Sequence, residues 1–153
     1  MQFPEKTLTE IKYHHYYKIN KSSGGIMKLK TLLGFQLLYV ILCIIWNVIS
    51  FLNLTSGKPT LAPGNPLIDG SLALVYGLVL ILGFIKKMKI FRILMAISAL
   101  SIGYIVCLAI INDVSLYSSR FAWYCAIGIN VFGLIVTVIA ALGKFRDNEN
   151  LIN

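Results

Sequence analysis

Residues 31–53, "TLLGFQLLYVILCIIWNVISFLN", contain no charged side chain, and neither do residues 121–143. Residues 67–85 carry only Asp69 near their start, and residues 90–112 only Arg92 near theirs. At ~1.5 Å per residue, a helix of about 20 residues matches a hydrocarbon core of roughly 30 Å. Apolar runs of this length offer no polar face to water, so lipid is their natural solvent. The chain of 153 residues, 58% hydrophobic and 13% charged, is one domain by length and well below the roughly 25% charge of soluble domains. The expected fold is all-α, a four-helix transmembrane bundle spanning about 31–53, 67–85, 90–112 and 121–143, within a membrane domain of residues 27–146. Residues 147–153 form a short polar tail.

A net charge of +8 raises the question of a nucleic-acid partner, and its distribution argues against one. Twelve of the fourteen cations fall in three places: the segment from Lys6 to Lys30, the connection with Lys86, Lys87, Lys89 and Arg92, and the tail with Lys144 and Arg146. Only Lys58 and Arg120 lie in the other two connections. This alternation follows the positive-inside rule, which puts both termini and the "KKMK" hairpin in the cytoplasm. The basicity is therefore topological, with attraction to anionic lipid headgroups as a secondary consequence. The outward loop "LTSGKPTLAPGNP" is rich in turn residues, and Trp46, Tyr117, Trp123 and Tyr124 are candidates for an outer aromatic belt.

The segment "KSSGGIM" adds a second candidate start, Met27. Glycine codons begin with GG, so the pair before Met27 is compatible with a purine-rich ribosome-binding site, which points to a bacterial cytoplasmic membrane. Residues 1–26 read either as a disordered tail or as untranslated sequence ahead of Met27. Both histidines, His14 and His15, fall there, and adjacent imidazoles with no accompanying Cys or carboxylate cluster do not make a metal site.

Polar residues inside the spans carry the remaining information, because each costs free energy unless it finds a partner. Gln36, Tyr39, Cys43, Asn47 and Ser50 recur at helical spacing on one stripe of the first span. Small or polar residues do the same on the third span, with Ala99 and Gly103, and on the fourth, with Gly133 and Thr137. These stripes read as helix-packing seams. Counted by depth, Asn47, Tyr76, Tyr104 and Asn130 fall near the outer boundary, where four hydrogen-bonding groups would line an outward-opening pocket. Cys107 and Cys125 lie at similar depth on consecutive spans, where a disulfide is geometrically conceivable. No C-x-x-C pair, intramembrane carboxylate or Ser-His-Asp set accompanies them.

These residues imply no cofactor, no metal and no enzyme. The expected role is a non-enzymatic accessory or structural membrane protein that packs through its seams against the lipid bilayer and a membrane-protein partner or a homo-oligomer. The alternative is a small-molecule binding or transport component that uses the outward pocket.

Overall fold

The computed structural model describes residues 26–146; the expectations for residues 1–25, including the two histidines, and for the 147–153 tail lie outside them. A two-residue strand β1 (Met27–Lys28) leads into α1 (Leu29–Thr55). There follow α2 (Pro66–Phe84), α3 (Met88–Ile111), a single 3₁₀ turn (Val114–Leu116), α4 (Arg120–Leu142) and β2 (Phe145–Arg146). All four helices are long and apolar enough to cross a membrane. Each packs on its sequence neighbours, and α1 also packs on α4, so the bundle closes as an antiparallel ring. The start of α1 and the end of α4 meet at one end of the bundle, the terminal end. There β1 and β2 pair in parallel, with Met27 beside Phe145 and Lys28 beside Arg146.

In lipid, the unpaired backbone groups at helix ends need protein partners or the interfacial water. Three helices end in one arrangement, with a left-handed residue just past the helix and two backbone bonds reaching back three and five residues. In α1 the left-handed residue is Gly57, with Gly57 N–H donating to Leu54 O and Lys58 N–H to Asn53 O. In α2 it is Lys86, at φ 60° without being glycine, with Lys86 N–H donating to Gly83 O and Lys87 N–H to Leu82 O. In α4 it is Gly143, at φ 67°, with Gly143 N–H donating to Ala140 O and Lys144 N–H to Ile139 O.

That leaves the last two carbonyls of α4. Arg92, the fifth residue of α3, donates to both, Nε to Ala141 O at 3.1 Å and Nη2 to Leu142 O at 3.3 Å. A cation at a helix C-terminus also complements the helix dipole. The favour is returned at the far end, where Trp123 of α4 donates through Nε1 to Ala109 O of α3 at 2.8 Å. The α3–α4 hairpin is thus tied at both ends by side chains of one helix on carbonyls of the other.

Helix starts follow their sequence signals. Asn65 accepts from Leu67 N–H ahead of Pro66, and Ser119 accepts from Ala122 N–H. The observed helices begin one or two residues before the expected runs; Asn65 and Ser119 cap α2 and α4, whereas α1 and α3 start without a side-chain cap. The connection between α1 and α2 is fastened to the bundle by buried Ser50, whose Oγ accepts from Leu61 N–H at 3.0 Å.

The tightest packing lies in the half nearest the terminal end. Leu32, Leu33, Leu80, Phe91 and Met95 are all 2% exposed or less, together with Gln36 and Thr137. Gly83 admits this packing, since a Cβ there would meet Leu33 Cδ2 at 2.7 Å and the Phe91 ring at 3.2 Å.

Gly143→Ala should destabilise the bundle by about 1–2 kcal/mol, because alanine must hold a left-handed φ and its methyl would meet the Arg92 guanidinium carbon at 2.8 Å. Arg92→Met should cost about 1 kcal/mol. Thermal unfolding in a lipid nanodisc measures both, and unchanged midpoints would show that the α4 end is held by something else.

Candidate functional site

The feature that stands out inside the bundle is a polar junction on its axis. Gln36 is seven residues into α1, about 10 Å from the terminal end, and no part of it is exposed. Its amide Nε2 donates to Tyr76 Oη of α2 at 3.2 Å and points its second hydrogen at Met95 Sδ of α3, also at 3.2 Å. Tyr76 Oη lies 2.7 Å from Thr137 Oγ1 of α4, and Thr137 Oγ1 donates to Gly133 O at 2.6 Å. Because the threonine hydrogen is committed to Gly133, Tyr76 is the donor to Thr137. The hydrogens therefore run in one direction, from Gln36 to Tyr76 to Thr137 to Gly133 O.

This junction ties both diagonals of the ring. Adjacent helices touch along their lengths, but Gln36 with Met95 joins α1 to α3, and Tyr76 with Thr137 joins α2 to α4. Helix pairs that share no extensive interface are thus fixed relative to each other by two contacts. A second layer lies immediately toward the far end. The Tyr39 ring stands edge-on to Tyr76, with centroids 5.4 Å apart, and covers Gly133 so closely that a Cβ there would overlap it. Tyr39 Oη makes a long bond of 3.4 Å to Asn130 Oδ1, while Asn130 Nδ2 donates to Ala126 O.

The residues expected to line an outward pocket are distributed differently. Tyr76 is 7% exposed and belongs to the axial junction, whereas Tyr104 is 66% exposed on the outer surface of α3. The reason is helical geometry: Tyr104 lies two residues from buried Ile102 and two from buried Val106, about 200° around the helix from each. Asn47 is half-buried and donates to Cys43 O of its own helix. The four groups are therefore not brought together, and only Asn130 and Tyr76 stay linked, through Tyr39.

Of the seam residues, Gly133 and Thr137 are buried at the helix contacts. Ala99 and Gly103 are only half-buried, and a Cβ on Gly103 would make ordinary contact with Leu134 at 3.8 Å, so no close approach depends on it. The buried side of α3 is instead built from Phe91, Met95, Ile102, Val106 and Ala109, while α4 supplies the small buried residues Ala122, Ala126, Gly133 and Ala140. Cys107 and Cys125 are free thiols, the first exposed and the second half-buried, so they are not bridged.

Chemically the junction consists of neutral amide, hydroxyl and thioether groups, suited to holding helices and to hydrogen bonding. Among the described residues, no group of three His, Cys, Asp or Glu side chains could hold a metal ion. Gln36 lies on the polar stripe read from the first span, but its place at the centre depends on the facing helices. Met95, Arg92 and Trp123 gave no signal of their partners. No protein family, curated protein or solved structure matches this chain.

Gly133→Ala should destabilise the bundle by about 1–3 kcal/mol, because the added methyl would overlap the Tyr39 ring. A double-mutant cycle of Gln36→Leu and Tyr76→Phe should give a coupling of about 0.6–1.7 kcal/mol. Zero coupling in lipid would mean that the two side chains are not bonded.

Proposed function

We propose that this chain is a non-enzymatic accessory or structural membrane protein, inserted in a bacterial cytoplasmic membrane with both termini in the cytoplasm. Its apolar outer surface packs against lipid and a membrane-protein partner or a second copy. The observation that carries this reading is the use made of the buried polar side chains. Gln36, Tyr76 and Thr137 bond to one another across helices, and Ser50 bonds to the adjoining loop. They are spent on cohesion of the bundle.

Orientation rests on charge. The terminal end gathers the Lys-rich connection between α2 and α3 with Lys28, Lys30, Lys144 and Arg146, while the far end carries Lys58 and Arg120 beside Asp69 and Asp113. That asymmetry favours the terminal end in the cytoplasm. The glycine pair ahead of Met27 supports a bacterial setting.

Two measurements test this. In a background lacking the native cysteines, a membrane-impermeant maleimide added to intact cells should label a Lys58→Cys variant and spare Lys144→Cys; the reverse pattern overturns the orientation. Native mass spectrometry from lipid nanodiscs should retain a protein companion or a second copy. A monomer carrying a stoichiometric small molecule would instead favour a binding or transport role.

A further inference from the structure

One buried polar atom of the axial junction has no partner in the protein. Gln36 Oε1 is fully enclosed and accepts no hydrogen bond, although both hydrogens on the same amide are used. Turning the amide over does not cure this. Tyr76 would then have to give its hydrogen to Gln36 Oε1 and withdraw it from Thr137, and two amide hydrogens would be left unpaired in place of one oxygen. In either setting, one end of the Gln36 amide faces a position that must supply a hydrogen-bonding partner. An enclosed amide carbonyl without one keeps its full desolvation penalty, and lipid offers nothing to replace it.

We propose that Gln36 Oε1 is the anchor of an internal water-binding site on the bundle axis. The ligand must be small, because Gln36 and the junction residues Met95, Thr137 and Tyr76 are all buried. With Oε1 as the free atom it must donate, and in the reversed setting it must accept. Water meets both conditions, and buried waters characteristically serve polar groups that the protein leaves unpaired. The site extends the directed series by one member at its donor end, so that water, Gln36, Tyr76 and Thr137 form a continuous hydrogen-bonded line across the bundle. This holds whether or not the chain has a protein partner.

The chain contains two glutamines, Gln2 and Gln36, so a Gln2→Asn variant with ¹³C-labelled glutamine reports on Gln36 alone. In lipid bilayers, water-edited solid-state NMR should show polarisation passing from water protons to Gln36 Cδ several-fold faster than to the Met95 methyl group. The transfer should persist in Tyr76→Phe, which keeps the carbonyl and removes the neighbouring phenol proton. Build-up at Gln36 as slow as at Met95 overturns the site. Loss of transfer in a folded Tyr76→Phe also overturns it, since the phenol would then have been the source, and so does a contact to the protons of a bound organic molecule in place of water.

Discussion

The structure depends on the absence of water along most of its length. A polar group within the hydrocarbon region must find its partner inside the bundle, and this chain supplies partners both along its helices, as for Asn47 and Asn130, and between them. The axial junction is the clearest instance. Once Gln36, Tyr76, Met95 and Thr137 share one set of contacts, the rotation of all four helices is fixed, because turning any helix by one residue step would carry its polar member about 100° out of reach. Hydrophobic packing cannot fix rotation as sharply when both the core and the lipid are apolar.

The same requirement governs the helix ends. Arg92 has two functions: its charge belongs to the cluster at the terminal end, and its guanidinium completes the last carbonyls of α4. A lysine would retain the charge but not the two-pronged geometry. Trp123 completes the opposite end of the same hairpin, so α3 and α4 form a unit with side-chain ties at both ends. The α1–α2 connection is fixed instead by Ser50 on the loop backbone. The centre of the bundle then joins these two hairpins across both diagonals.

Much of the architecture was legible in the sequence because length and lack of charge are local properties. Four runs predicted four helices; the caps at Asn65, Ser119 and Gly143 set the observed boundaries of α2 and α4. The polar stripe of the first span and the Gly133–Thr137 contacts of the fourth were also readable, because small or polar residues recurred at helical spacing. Which side of α3 faces inward was not. Its bulky residues are apolar all round, so there is no contrast between a core face and a lipid face, and Tyr104 could not be distinguished from an inward-facing tyrosine. Depth counting grouped Tyr76 with the residues near the outer boundary, but its long side chain joins Gln36 and Thr137, nearer the terminal end. Partnerships such as Gln36 with Met95 depend on residues 59 positions apart, for which a single sequence carries no local signal.

The four helices are locked on the bundle axis by the bond between Gln36 and Tyr76. A direct test is the dipolar coupling between ¹⁵Nε2 of Gln36 and ¹³Cζ of Tyr76 in lipid bilayers, measured by solid-state NMR on the full chain. Dephasing of the Tyr76 signal is expected, as required by an Nε2-to-Oη separation of 3.2 Å. A Tyr76 signal untouched by the glutamine nitrogen would contradict it and leave the helix rotations to be set by apolar packing alone.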